Sequence, residues 1–503
     1  MSAEAPRQVI EISALGGRVR GLMADEVMVF RGLRYAEPPA GPLRWAPPQP
    51  PASRPAIVDA TVFGPDTPQE ASGFSGTRSD SQSEDCLSLN IWSPARAEPL
   101  PVMVWIHGGG FVGGSGSNIT FDGRRLAALG VVVVTINYRC GVFGYLCHPE
   151  LAAQSDRGVS GNFGLLDQLA ALQWVRDHIA DFGGDPGNVT AFGESAGATS
   201  ISHLLTSPLA RGLIDKAILQ SPGPMRGLMP HAQAAERGAA LGSLETLRSL
   251  STAELVALND RLISGFRKVV GPRALGPVLD GWVLPAEDWD AYARGEVLAV
   301  PLLLGCNGDE GELFARQRPL RTVQRFHAYV EDCFGDRARD ALTHYGVGAA
   351  SGLTPAVSRL FGDTQFVYGT RGVARAMSRL EPRTFLYWFD ARRAGQSASP
   401  THGEELPYVF GTLDEPFDGQ ATPYRQEDRS LSNLMMTAWT SFARTGEPRL
   451  PDRRWPAVGA DDQCVVLSEQ IETRAFPRAA ALDFLDQVIG PQHAQRLGNR
   501  QDA

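Results

Sequence analysis

Two short stretches, residues 101–107 (PVMVWIH) and 131–138 (VVVVTINY), hold almost no polar side chain. A strand with one face in water alternates apolar and polar residues, whereas a strand covered on both faces reads as a continuous apolar run. Both stretches therefore predict strands inside a parallel sheet. Residues 188–192, 216–220, 301–305 and 384–389 look like further strands. Leu166, Leu169, Ala170, Leu172, Val175 and Ile179 recur at helical spacing within 165–182, which stops at Gly183 and Gly184, and 196–205 is another helical run. Strands alternating with helices predict an α/β chain with a large, mostly parallel central sheet flanked by helices. Residues 8–35 alternate around glycines and predict small antiparallel N-terminal strands. Residues 36–51 are Pro-rich and run extended or in turns, and the polar stretch 64–84 reads as a surface loop. No repeat and no separating linker is present, so one domain over 1–503 is expected.

Composition removes several function classes. The 47 basic residues against 56 acidic ones leave a net charge of −9, and no basic run stands out, which argues against a nucleic-acid partner. No apolar run reaches the roughly 18 residues that a membrane span needs. The opening MSAEAPRQVIEIS has neither a basic nor an apolar leader segment, so no secretory signal is expected. The six cysteines are scattered without metal-like spacing. Reduced thiols in a cytoplasmic protein, with no metal and no cofactor, are expected. Lysine occurs only at Lys216 and Lys268, a bias expected of a GC-rich bacterial genome.

The most chemically pointed stretch is FGESAG, residues 192–197. A bare G-x-S-x-G is often just a turn. Here it falls between the strand 188–192 and the helix from 196. Gly193 and Gly197 supply the close backbone approach of a sharp strand-to-helix turn, which lifts the Ser195 hydroxyl out at the carboxyl end of the sheet. A serine hydroxyl needs a base, the base needs an orienting acid, and the reaction needs donors aimed at the oxyanion. His107 and three glycines, 108–110, follow directly on a buried strand and offer free backbone N–H groups, with the N–H of Ala196 to complete the set. Of the nine histidines, His148, His178, His203, His231, His327, His344 and His493 lie in helical, loop or tail contexts that suggest only structural roles, and His107 belongs to the glycine loop. His402, in the loop SPTHGEEL after the strand 384–389, is the candidate base. The acid should follow the strand 301–305, where CNGDEGELF offers Asp309 or Glu310, and the residues alone do not choose between them.

These stretches resemble the type-B carboxylesterase and cholinesterase family, closest in character to bacterial para-nitrobenzyl-type esterases. FGGDPGNVTAFGESAG (182–197) matches the family's serine signature except that Ala191 sits where a larger aliphatic is usual. EDCLSLNIWSP (84–94) matches a second signature. FRGLRYAEPPAGPLRW, NYRCGVFGYL, GNFGLLDQLAALQWV and SFARTGEPR extend the likeness over about residues 8 to 485. The resemblance implies an α/β-hydrolase fold, with helical insertions around 225–275 and 315–380 shaping an active-site gorge. It implies the triad Ser195, Glu310 and His402, oxyanion donors at Gly109, Gly110 and Ala196, and supporting roles for Glu194, Ser221 and Glu405 in orienting the histidine and the acid. The expected activity is hydrolysis of a small-molecule ester through an acyl-enzyme, by a monomer or small homo-oligomer. An amidase, a carbamate hydrolase or a lipase would share the triad, and a non-catalytic binding relative would share the fold.

The departures carry information of their own. Cys86, in EDCL, is the first cysteine of the chain, so the disulfide that secreted relatives form there has no partner residue. The stretch matching a second family disulfide, around 225–265, has no cysteine. The loop before EDCL lacks the tryptophan that holds choline, which argues against a cholinesterase. Relatives often line the acyl pocket with aromatics just before the motif at 277–281, whereas this chain has Arg267, Lys268 and Arg273. A cation facing the pocket would favour an ester with an acidic acyl group. The same residues turned to solvent would not.

Overall fold

The computed structural model describes residues 8–498 apart from 71–80, 97, 264–268, 270, 318–319, 349–351, 394–397 and 416–423. Its centre is a sheet of thirteen strands. Seven neighbours run parallel, in the order Val132–Ile136, Leu100–Ile106, Gly184–Glu194, Lys216–Gln220, Leu302–Asn307, Thr384–Phe389 and Gln463–Leu467. Antiparallel strands border them. Gln8–Ala14, Gly17–Ala24, Val27–Arg34 and Ser88–Pro94 lie on one side, and Glu472–Ala475 on the other.

The apolar runs have the expected cause. In Leu100–Ile106, Val102, Val104 and Ile106 pack into a core that includes Leu169 and Leu172 of the helix Phe163–His178 and Ile201 of the helix Ala196–Thr206. Met103 and Trp105 pack on the other face, with Met435 and Trp439 of the helix Gln426–Thr445. Trp105 meets the rings of Phe121, Phe192 and Phe410 at 4.8–5.0 Å. Each such side chain, fully buried, contributes about 1.5–3 kcal/mol, which is why no polar residue interrupts the run.

The chain passes outward from Leu100–Ile106 to Val132–Ile136, returns across it to Gly184–Glu194, and then proceeds the other way. The reversal leaves a crevice at the carboxyl ends of the strands, the usual place for a ligand in an open α/β sheet. The predicted helix 165–182 spans Phe163–His178 and tightens to a 3-10 turn at Ile179–Phe182. The strand expected at 188–192 starts four residues earlier, at Gly184. Helices fill both stretches read as insertions: His231–Ala239, Leu244–Ser249 and Thr252–Ile263 in the first, and Val323–Phe334, Ala338–Tyr345, Leu353–Gly362 and Tyr368–Ser378 across the second. Among the described residues no helix is long and apolar enough to cross a membrane.

Candidate active site

Ser195 occupies the single step between the strand Gly184–Glu194 and the helix Ala196–Thr206. Its backbone stands at φ 55°, ψ −119°, a conformation that costs a non-glycine residue about 1–3 kcal/mol. Surrounding bonds hold it there. The Ser195 N–H donates to the Gln220 carbonyl at 2.9 Å, and both the N–H and the hydroxyl of Thr199 donate to the Ser195 carbonyl at 2.8 Å. The flanking glycines are dictated by the neighbouring strand. A Cβ on Gly197 would stand 1.9 Å from the Ile106 carbonyl oxygen, and one on Gly193 would stand 2.6 Å from the same atom.

The glycine loop comes off the adjacent strand end. Gly109 and Gly110 have φ of 112° and 64°, and a Cβ on Gly109 would lie 2.2 Å from the Gly113 carbonyl oxygen. A Cβ on Gly108 would lie 3.1 Å from Cβ of Ser195, so loop and serine are neighbours. Among the described residues, no fold hydrogen bond uses the N–H of Gly109, Gly110 or Ala196 as donor. Gln69 pins the far side of the loop: its side-chain amide donates to the Gly114 carbonyl at 2.9 Å and accepts from the Gly114 N–H at 2.7 Å. Gln69 lies in the polar stretch read as a surface loop, and nothing in its sequence context marked it.

Glu310 and His402 meet in the same crevice. His402 Nδ1 and Glu310 Oε2 are 2.5 Å apart. The Ser221 hydroxyl and the Asn307 backbone N–H donate to Glu310 Oε1 at 2.5 and 2.6 Å. Asp309, the other candidate, instead accepts from the Ser358 hydroxyl. Among the described residues Glu405 makes no hydrogen bond or ion pair to His402 or Glu310. Its oxygens accept from Gln220 at 3.0 Å and from the Asn307 side chain at 2.5 Å, so Asn307 ties the two carboxylates together. Gln220 and Asn307 gave no signal in the sequence beyond standing at strand ends. The His402 ring also packs on Phe366 and Phe314, at 4.3 and 5.5 Å between centroids.

Glu194, which the resemblance gave a part in orienting the histidine and the acid, lies against the second nitrogen of the histidine ring. Its Oε1 lies 3.0 Å from His402 Nε2, the nitrogen that would face the serine, yet too far off line for a hydrogen bond, and Nε2 has no aligned partner. Ser195 Oγ likewise makes no hydrogen bond among the described residues, and the residue is half-buried. The structure thus links Glu310 to His402 and, among the described residues, shows no hydrogen bond between His402 and Ser195. Burial works to lower the His402 pKa, but Glu194 and then Glu310 outweigh it and hold it well above the ordinary histidine value. Burial, reinforced by Glu194 and Glu310, pushes Glu405 up to about 7. Burial lowers His107 to about 4, and its ring stacks on Tyr138 at 4.4 Å. His203, read as structural, pairs with Asp288 at 2.8 Å.

Arg273 sits beside this site, with its Cζ 5.4 Å from the centroid of Phe111, the residue that follows the loop glycines. Arg267 and Lys268 lie outside the described residues. None of the six cysteines is in a disulfide, and five of them are buried. No group of three or more His, Cys, Asp or Glu among the described residues is arranged to hold a metal.

Known proteins with similar sequences or folds point one way. A family model described as the carboxylesterase family matches residues 6–485. A fumonisin B1 esterase of Sphingopyxis macrogoltabida is 41% identical over 463 residues, covering 90% of this chain and 86% of its own. The para-nitrobenzyl esterase of Bacillus subtilis strain 168 is 36% identical, covering 92% and 96%. The solved structure of a thermophilic PNB esterase superposes with a TM-score of 0.84 at 35% identity, covering 94% and 99%.

Proposed function

The chain belongs to the carboxylesterase family, and from that premise we propose that its hydrolysis of carboxylic esters is carried out by Ser195, His402 and Glu310. The observation that carries the assignment is Glu310 Oε2 at 2.5 Å from His402 Nδ1, with a strained, half-buried Ser195 one residue from the Glu194 that touches the same ring. His402 Nε2 takes the Ser195 proton as Oγ attacks the ester carbonyl. The imidazolium that forms is stabilised by Glu310, which also fixes the proton on Nδ1. The N–H groups of Gly109, Gly110 and Ala196 receive the oxyanion, each worth on the order of 10²–10³ in rate. His402 then protonates the leaving alcohol, and water repeats the sequence to free the acid. Ser221 orients Glu310, and Glu194 and Glu405 set the field around the ring.

Amides and carbamates remain the second substrate class, since they require the same groups. Fumonisin B1, the substrate named for one relative, and para-nitrobenzyl esters, named for the other, belong in the first substrate panel. We also read the chain as one domain from a bacterial cytoplasm, a reducing compartment that suits cysteines outside any disulfide. The test of the site is stoichiometric inactivation by an organophosphate followed by peptide mapping. A single phosphoryl adduct on Ser195 is expected. An adduct elsewhere, or none on an active enzyme, would overturn the assignment.

A further inference from the structure

The guanidinium of half-buried Arg273 has no neutralising partner among the described residues. Elsewhere the chain pairs its buried arginines: Arg139 with Asp167, Arg371 with Asp483 and Asp486, and Arg393 with Glu404. Among the described residues Arg273 makes no hydrogen bond and no ion pair, and its one charged-group contact is the face of Phe111. Burial lowers its pKa to about 10, with no neighbouring carboxylate to offset that shift. The residue keeps some exposed surface, and a small cavity beside it is lined by a second arginine, Arg237, and, among the described residues, by no acidic one. The space it occupies is reserved by a glycine: a Cβ on Gly223 would stand 2.6 Å from Arg273 Nη2 and 2.7 Å from the Gln365 carbonyl oxygen.

These contacts locate the cation. Phe111 directly follows the proposed oxyanion donors, and the N–H of Gly223 donates at 2.9 Å to Thr199, which is bonded to the Ser195 carbonyl. Gln365 precedes the Phe366 that packs on His402. Arg273 thus packs against residues that are next in chain or in hydrogen bonding to the Ser195 turn, the glycine loop and the His402 ring. A planar guanidinium with free donors is matched to a carboxylate, and a desolvated setting strengthens the pairing.

We propose that Arg273 binds a carboxylate on the acyl part of the substrate, so that the enzyme prefers monoesters of dicarboxylic acids and related acid-bearing acyl groups. This inference rests on the esterase reading above. It is tested with monomethyl glutarate against methyl pentanoate, which have the same number of acyl carbons, followed by proton release. The native protein should show a higher kcat/KM for the acidic ester. Arg273→Leu should lower the acidic-to-neutral ratio at least tenfold, mainly through KM, and Arg273→Lys should restore part of it. A ratio unchanged in Arg273→Leu, or a parallel fall on both esters, would overturn the inference and leave the esterase reading standing. A preference for acetoxyacetate over ethyl acetate that Arg273→Leu abolishes, with none for glutarate, would place the carboxylate on the alcohol side and also overturn it. Failure of the native protein on every ester would instead sink the esterase reading itself.

Discussion

At the scale of single residues, the site is a balance of charge around one imidazole. Glu194 and Glu310 flank His402, with Glu405 close behind, all in a buried setting. A base must be neutral to accept the serine proton, so activity should rise as pH climbs through the His402 pKa. Because the two flanking carboxylates hold that pKa well above the ordinary histidine value, the acid limb of kcat/KM should lie at correspondingly high pH. Glu194→Gln removes one favourable charge while keeping the shape. The limb should then move to lower pH, as measured from a pH–rate profile on a neutral ester. A limb that stays in place, or moves upward, would show that Glu194 does not set the charge on the ring. Residue types and order singled out Ser195 and His402 in the sequence. The choice of Glu310 over Asp309 needed the family pattern, because two adjacent carboxylates differ only in where the turn aims them. Here the turn aims Asp309 at Ser358 and Glu310 at His402.

At the scale of elements, the turn at Ser195 depends on how closely the start of the helix Ala196–Thr206 approaches the strand Leu100–Ile106. Gly197 has no room for a side chain against the Ile106 carbonyl oxygen. Gly197→Ala should therefore displace the helix Ala196–Thr206 and destabilise the protein by about 1–3 kcal/mol, read as a lowered urea midpoint, with loss of activity beyond any loss of folded protein. Wild-type stability and activity in that variant would mean the turn is not as tight as described. The strands Lys216–Gln220 and Thr384–Phe389 were legible to the residue, because both of their faces are covered and their runs are unbroken. Ser88–Pro94 was not, although every residue in it is buried. Its Asn90 hides the pattern: the Asn90 side chain accepts from the Gly32 N–H and donates to the Thr135 hydroxyl, so a polar residue is satisfied inside the sheet. The closing pair Gln463–Leu467 and Glu472–Ala475 escaped for a different reason, being short, with the outer strand exposed throughout.

At the scale of the whole molecule, the site exists only because distant segments end together. The loop glycines, Ser195, Ser221, Glu310 and His402 follow the strands ending at Ile106, Glu194, Gln220, Asn307 and Phe389, which lie side by side in the sheet. Buried ties hold the surrounding frame. Arg139, just past the strand Val132–Ile136, pairs with Asp167 on the helix Phe163–His178 at 2.7 Å and donates to the Ala46 carbonyl in the Pro-rich segment at 2.8 Å. The sheet could be anticipated from local pattern. The aromatic wall of Phe314 and Phe366 behind His402 could not, since it comes from segments some 90 and 40 residues from that histidine, and no local periodicity reports such a contact. The most direct test of the account is the rate of p-nitrophenyl butyrate hydrolysis by the native protein and by Ser195→Ala at matched melting temperature. The account predicts that native turnover falls by on the order of 10⁴-fold or more in the variant. A variant that keeps turning over the ester at a substantial fraction of the native rate would contradict it.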